Sequence, residues 1–518
     1  MLREGRSVDA PRHSSGVAEA ARGDRNALNT GDLGPRGWHP RLGIKAASQE
    51  PGRAEESDEA VVPVKAVKAA GGKGLYLTTR LCREGTEIVA TLSTPAPIRK
   101  LQRALYLRTK QEARFRAYAL YDKVHRPDIL AHAYALAKAN GGAPGPDGVT
   151  FAEIEAAGRD VLLDDLREAL QTKMYQPGPV RRVYIPKLNG GERPLGIPNI
   201  RDRVVQTAAK LVLEPIVEAD FEPDSFGFRP RRAAHDALDA IQAAMDAGMC
   251  WVIDADVTAY FDTIPHDRLM KTVAQRVVDG AILALVKRFL EAPIIDERDG
   301  GRLQRPRQGT PQGGVISPLL ANVYLHLLDR SFRQRVERGD LQGRLIRYAD
   351  DFVLLAPRRP DRERAWVQHL LTRLGLTLHP EKTRMVDAQR ESFVFLGHTH
   401  RRQSARLYLD IGPKTLRRIR DELRRRTRHT GLSLDQVVAE LNPYIRGARH
   451  YFRRVRRRSL SRLDFFVDVR LARWWARKHH TRRPAWSLVS RDALRRQRGL
   501  ERWNLPIARR PADARSAR

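Results

Sequence analysis

Two adjacent carboxylates, Asp350 and Asp351, interrupt an apolar stretch that runs from Leu345-Ile346 to Phe352-Val353-Leu354-Leu355. Flanks of this kind read as two short buried strands, with the acidic pair in the turn of a hairpin. Buried chain on both sides holds such a turn rigid. Neighbouring anions repel and are costly to desolvate, so the arrangement makes physical sense chiefly where a hard cation such as Mg²⁺ neutralises them; the competing reading is a solvated Asp-Asp turn. A second acidic strand end shifts the balance. Cys250-Trp251-Val252-Ile253-Asp254-Ala255-Asp256 is another apolar run, and it leads through Val257 to Tyr260, Phe261 and Asp262. In-line phosphoryl transfer with two metal ions needs carboxylates from separate strands, holding the ions about 3.5–4 Å apart. Asp256 with Asp350 and Asp351 supplies that set.

Charge narrows the partner. The 518 residues carry a formal +33 at an ordinary hydrophobic content of 42%. That combination implies a globular chain with a polyanionic partner, nucleic acid ahead of an anionic membrane. The excess is uneven: residues 401–518 hold 34 Lys and Arg against 10 Asp and Glu, so +24 of the +33 lies in under a quarter of the chain. Such an asymmetry marks a nucleic-acid-gripping region. No apolar run is long enough to predict a membrane span. Cys82 and Cys250 stand alone, without a Cys-x-x-Cys pair, which supports neither a zinc site nor a disulfide framework and fits a reducing, intracellular setting.

Between these landmarks the chain divides by pattern. Residues 1–95 are rich in Gly, Pro, Ala, Arg and Glu without periodicity and read as a disordered N-terminal segment. A helical pattern from Ile98 to Asn140 ends at Gly141-Gly-Ala-Pro-Gly-Pro-Asp-Gly148, and a helix restarts over Ile154 to Leu170. Val183-Tyr-Ile-Pro-Lys187 and Arg193-Pro-Leu-Gly-Ile-Pro198 read as a hairpin across a Gly-rich turn. Ser225-Phe-Gly-Phe-Arg229 is a kinked loop, its Phe residues candidate core and Arg229 a candidate phosphate contact. Gln308-Gly-Thr-Pro-Gln312-Gly313-Gly-Val-Ile-Ser317-Pro318 offers backbone that can approach a nucleotide, followed by a helix over Leu319 to Leu328 with Ser317 as its expected N-cap. Leu434 to Val455 reads as an amphipathic helix whose end is crowded with arginines.

Taken in series, the Tyr348-Ala-Asp350-Asp351 hairpin, the strand end from Asp256 to Asp262 and the Gln308–Pro318 segment resemble the palm motifs of reverse transcriptases. The stretches Leu441–Phe452 and Leu471–Lys478 resemble the thumb and maturase domain of the group II intron-encoded members. The resemblance implies an α+β right-hand polymerase followed by an all-helical thumb and maturase domain. Its expected divisions are an N-terminal extension over 96–180, fingers and palm over 181–398, thumb and maturase over 399–485, and a basic tail over 486–518. It implies RNA-directed DNA polymerisation with two Mg²⁺ ions, held by Asp256, the Val257 carbonyl, Asp350 and Asp351. Incoming deoxynucleotides would meet Lys187, Arg193, Phe261, Gln312, Gly313 and Lys382. Phe261 would exclude a 2′-hydroxyl by shape, with a purely core Phe as the competing reading, and Lys382 would serve the departing pyrophosphate. Arg446, Arg449, Arg453, Arg454 and Arg457 would bind RNA, and Trp474 and Trp475 would stack on bases.

The expected partners are group II intron RNA, an RNA template with a DNA primer, and deoxynucleoside triphosphates, without a membrane; a homodimer is compatible. The expected location is a bacterial cytoplasm, in association with the nucleoid. No zinc-stabilised nuclease domain is expected. Two rival readings stay open, a splicing-only RNA-binding maturase and a retron, diversity-generating or defence-associated reverse transcriptase.

Overall fold

The computed structural model describes residues 92–186, 192–403, 406–481 and 498–504, all of which fall in one compact unit, Glu59–Arg518. The first 91 residues, Lys187 and the segments 482–497 and 505–518 lie outside the described residues, and so does the expectation of disorder placed on the N-terminus.

The helical pattern from Ile98 to Asn140 resolves into helices at Ala96–Gln111, Tyr121–Val124 and Pro127–Asn140. The breaks have local causes. Ala117 forms a parallel bridge with Val277, and Pro127 opens a new helix because it cannot continue an old one. The following helical segment is likewise split, into Phe151–Ala157 and Arg159–Gln171, at Gly158 with φ +100°.

Strands β1 (Val180–Pro186) and β2 (Glu192–Ile197) form the expected antiparallel hairpin, with Arg193 opposite Ile185. Strand β3 (Trp251–Asp256) starts a second sheet, while β4 (Ile294–Asp296) and β5 (Leu303–Gln304) complete the first in the order β2-β1-β4-β5. Strands β6 (Arg344–Tyr348), β7 (Asp351–Ala356) and β8 (Arg384–Asp387) join β3 in the order β6-β7-β3-β8. A three-stranded sheet of β9 (Phe393–Phe395), β10 (His398–Gln403) and β11 (Arg406–Ile411) follows.

Strands β3 and β7 are central to their sheet and carry near-continuous burial, which is why their sequences are almost unbroken apolar runs. The long helices Ile200–Glu218 and Ser317–Glu337 pack beneath them, and the largest hydrophobic cluster joins these helices to the sheet. Ser317 is the first residue of its helix and not its N-cap; Ile316 holds that position without a side-chain cap. The Ser317 hydroxyl lies against Gly314, close enough that a Cβ there would meet it at 2.7 Å.

Beyond β11 the described residues are mainly helical: Pro413–Arg426, Leu434–Tyr451 and Arg457–Lys478 enclose a separate hydrophobic cluster. Ser433 caps the second of these with a reciprocal Ser433–Gln436 capping box, which fixes its start. Mixed α/β structure followed by a helical domain agrees with the expected fold class.

Candidate active site

The acidic set converges at one end of the second sheet. In the antiparallel β3–β7 pair, Asp256 stands opposite Asp351. Tyr348 pairs with Asp351 across the β6–β7 hairpin, so Ala349 and Asp350 form a two-residue turn. Asp351 is therefore the first residue of β7, whereas Asp350 occupies the turn itself. Ala349 has φ +60°, a left-handed conformation uncommon for any residue but Gly or Asn. Asp256 is 7% exposed, and Asp350 and Asp351 are half-buried. Asp254, two residues before Asp256 and on the same strand face, is 6% exposed and sits inside the sheet between Val353 and Arg384.

Lys382 donates to Asp256 Oδ2 at 2.6 Å from a side chain that is half exposed. Main-chain bonds hold the surrounding loop: His379 N donates to the Asp256 carbonyl at 2.8 Å, and Val257 bridges Leu378. Among the described residues no group of three His, Cys, Asp or Glu side chains stands in metal-binding geometry. The donor chemistry fits a hard divalent cation: carboxylate oxygens on two adjoining strand ends, one buried and one half-buried. As the side chains stand, an ammonium group supplies the counter-charge to Asp256.

Gln312 links the first sheet to Asp262, six residues beyond Asp256. Its Nε2 donates to Asp262 Oδ2 at 2.7 Å and its Oε1 accepts from Arg193 Nε at 2.8 Å, so both ends of the amide are used and its orientation is fixed. Gly196 N donates to the Gln312 carbonyl at 2.5 Å, and at Gly313, with φ +118°, an added Cβ would meet the Gly196 carbonyl oxygen at 2.2 Å. Backbone thus lies directly on backbone where strand β2 crosses the glycine-rich loop. Asp262, the anchor of this chain, was not singled out in the sequence as a partner of Gln312; its place in the acidic strand end was the only signal.

The structure places the remaining expected contact residues as follows. Phe261 is 2% exposed and packs edge-on with Tyr260 in the main core, so both rings are core members. Trp474 is fully buried, with its indole Nε1 donating to the His429 carbonyl at 2.8 Å, which rules out base stacking by that ring. Trp475 is half-buried, 4.1 Å from the His479 ring. Arg229 is 6% exposed and its guanidinium is taken up by Glu218 and the carbonyls of Glu222 and Ser225, a structural role and not a phosphate contact.

The arginine cluster divides in the same way. Arg449 donates to Glu501 at 2.8 Å and to the Arg502 carbonyl, and Arg446 reaches Glu501 at 3.3 Å. Arg454 pairs with Asp239 on the helix Ala234–Asp246. Arg453 and Arg457 are exposed. His235 Nε2 against the Tyr451 carbonyl at 2.9 Å, and Tyr451 Oη donating to the Leu396 carbonyl at 2.9 Å, add to the Arg454 pair. Together they tie the end of the Leu434–Tyr451 helix to the body that carries the acidic site.

A hairpin bearing paired carboxylates, set against an acid-terminated central strand, with a basic hairpin linked through Gln312 to Asp262, is the arrangement of a polymerase palm with fingers. Residues 185–400 match the family model described as reverse transcriptase (RNA-dependent DNA polymerase), and residues 416–491 match the group II intron, maturase-specific domain. Protein YkfC of Escherichia coli (strain K12) is 36% identical over 346 residues, 60% of this chain and 90% of that protein. Group II intron-encoded protein LtrA of Lactococcus lactis subsp. cremoris is 37% identical over 225 residues, 43% of this chain and 37% of LtrA. An uncharacterised 91 kDa protein in the cob intron of Schizosaccharomyces pombe is 27% identical, over 56% of this chain and 45% of its own length. The chain thus spans nine-tenths of YkfC but under half of the latter two. Among solved structures, telomerase from Candida tropicalis aligns at a TM-score of 0.38 and 14% identity, over 47% of this chain and 58% of that one. The chain belongs to the group II intron-encoded reverse transcriptases, RNA-directed DNA polymerases that carry a maturase-specific domain. Among the described residues no helix is long and apolar enough to cross a membrane.

Proposed function

We propose that the chain extends a DNA primer on an RNA template by attack of the primer 3′-hydroxyl on the α-phosphate of a deoxynucleoside triphosphate, with pyrophosphate leaving. The observation that carries this reading is the register of Asp256 opposite Asp351 with Asp350 in the adjoining turn. Asp256, Asp350, Asp351 and the Val257 carbonyl would hold two Mg²⁺ ions, which when bound stabilise the attacking and leaving oxygens.

The remaining work falls to side chains around them. Arg193, aimed by Gln312, contributes a fixed positive charge where the triphosphate lies, and Gly313 lets that loop approach without a Cβ. Lys382, half exposed and paired with Asp256, would turn to the leaving pyrophosphate, where an ammonium can neutralise charge or give up a proton. Lys187, one residue beyond β1, adds a second cation to the triphosphate. Phe261 acts on the sugar only indirectly, as the packed floor beneath it.

The helical domain binds intron RNA and stabilises its folded form without contributing chemistry to splicing. Arg453, Arg457 and the exposed arginines of the Pro413–Arg426 helix provide the phosphate contacts. The test is primer extension with Mg²⁺ and deoxynucleotides on an RNA template, comparing wild type with Asp350→Ala, alongside binding and splicing of the parent intron RNA. We expect extension to fall by at least about 10³-fold while RNA binding and splicing persist. Wild-type extension by the variant would overturn the assignment of the acidic site, and splicing without extension by wild type would leave a splicing-only maturase.

A further inference from the structure

Two residues before the acidic turn, the Arg347 side chain is completely buried. Its guanidinium has five N–H groups, and the fold supplies an acceptor for each. Nε donates to Asp329 at 2.9 Å, and Nη2 donates to Asp329 Oδ2 at 2.5 Å and to Ser225 Oγ at 2.7 Å. Nη1 donates to Asn322 Oδ1 at 2.9 Å and to the carbonyl oxygen of Ala349 at 2.8 Å.

The last contact matters most, because Ala349 is the left-handed residue of the turn that carries Asp350. A non-glycine residue keeps such a conformation only where its surroundings over-determine it. Here they act from two sides. On one, Asp329 and Asn322, both on the helix Ser317–Glu337, hold the guanidinium that grips the Ala349 carbonyl. On the other, Gly227 lies so close that an added Cβ would stand 2.2 Å from Ala349 N, and Asn322 Nδ2 donates to the Gly227 carbonyl at 2.7 Å. The same asparagine therefore touches both walls of the seat.

We infer that Arg347 is a positioning residue for catalysis: it seats the Ala349–Asp350 turn, and with it the Asp350 carboxylate, against the helix Ser317–Glu337. This rests on the proposed role of Asp350. Lysine cannot substitute, since an ammonium has three donors and no planar fork to serve Asp329, Ser225, Asn322 and Ala349 together. A merely structural ion pair between helix and sheet would affect stability alone; a positioning role also affects the chemical step.

Three variants separate these. Arg347→Lys keeps a charge facing Asp329, which matters because a buried carboxylate left without a partner is strongly destabilising. Gly227→Ala presses on the turn from the opposite side and alters no charge. Asp350→Ala tests the underlying reading. Each is assayed for thermal unfolding, primer–template affinity, kcat and KM for single-nucleotide incorporation, and Mn²⁺ binding by electron paramagnetic resonance without nucleotide.

We expect Arg347→Lys and Gly227→Ala to bind primer–template as wild type does. Their kcat should fall by on the order of 10²-fold, the scale of an ångström-sized misplacement. Mn²⁺ should bind several-fold more weakly, and KM for the nucleotide should change little. Wild-type kcat and Mn²⁺ affinity in folded Arg347→Lys, with Asp350→Ala inactive, would overturn the inference alone. Should Arg347→Lys fail to fold, Gly227→Ala decides by the same readouts. Full activity in Asp350→Ala would remove the reading on which the inference stands.

Discussion

In the palm, Arg347, Asp329 and Asp256 are 0%, 5% and 7% exposed, and each is held by partners that define one geometry. In the helical domain from Pro413 to Lys478, most cations stay at the surface, and those that are tied down hold elements together: Arg470, Arg477 and Lys478 donate to Thr427, Thr430 and Leu432 around the end of the Pro413–Arg426 helix. The palm thus buries charge to fix the place of a carboxylate, where a small displacement alters a reaction. The helical domain spreads charge for a partner whose phosphates are many and interchangeable, and where losing one contact costs little. The same residue type, arginine, does opposite work in the two regions according to whether water can reach it.

Four tests bear on that contrast. The largest effect is expected at Trp474, a buried anchor in the region that otherwise works through its surface. Trp474→Ala should destabilise the helical domain by about 3–5 kcal/mol, as large-to-small core changes do, with RNA affinity per folded molecule unchanged. Urea unfolding together with RNA titration checks it, and a stable variant that binds RNA weakly would return Trp474 to the binding surface.

Next comes Gly313→Ala, which forces a Cβ onto the Gly196 carbonyl and strains a φ of +118°. A loss of about 3 kcal/mol in kcat/KM for nucleotide is expected, with RNA binding intact. Equal losses in both would mean that the palm and helical domain are less separable than proposed.

Acid provides the third test. Burial lowers His398 and His326 to about 4 and His400 to about 3, against an ordinary value near 6.5. The unfolded chain therefore takes up protons between pH 6.5 and about 4 that the folded chain refuses, so stability is full above about 6.5 and falls as pH drops through that window. The loss is on the order of 3 kcal/mol each for His398 and His326 and more for His400, whose proton uptake extends down to about pH 3. His398 lies against Tyr451 and Phe452, so His398→Phe should flatten the acid side of the unfolding profile. Asp202 runs the other way: burial raises it to about 6, so its penalty appears as pH rises from about 4 to 6.

The smallest effects should come from single surface arginines. Arg457→Ala should weaken RNA binding by about threefold and reduce the dependence of affinity on salt by roughly one unit of log–log slope. Arg449→Ala, already committed to Glu501 and the Arg502 carbonyl, should lower stability by about 1 kcal/mol and leave that slope unchanged. Filter binding at several salt concentrations distinguishes the two, and equal slopes would erase the division drawn between exposed and tied arginines.

Much of the palm was legible beforehand. The β3 run and the β6–β7 hairpin are local patterns of apolar residues, and an acidic pair between two of them has few physical explanations. Helix boundaries were less legible: the Ile98–Asn140 pattern breaks where Ala117 finds Val277 far along the chain, and the helix after the glycine-rich loop starts at Ser317, one residue earlier than the capping reading placed it. The arginine cluster after Ile445 was visible as a cluster, but which members face solvent was not.

The sequence by itself determined the acidic strand ends, the hairpin that carries Asp350 and the concentration of positive charge after residue 400. These depend on composition and short-range periodicity, which are properties of neighbouring residues. Only the tertiary structure decided that Arg347 is sealed in the core, that Arg454 is tied to the palm and that Lys382 meets Asp256. Those partners lie 122, 215 and 126 residues apart, for Ser225 with Arg347, Asp239 with Arg454 and Asp256 with Lys382. Whether a charged side chain is buried and paired or left to water depends on which distant segment folds over it, and local pattern carries no record of that.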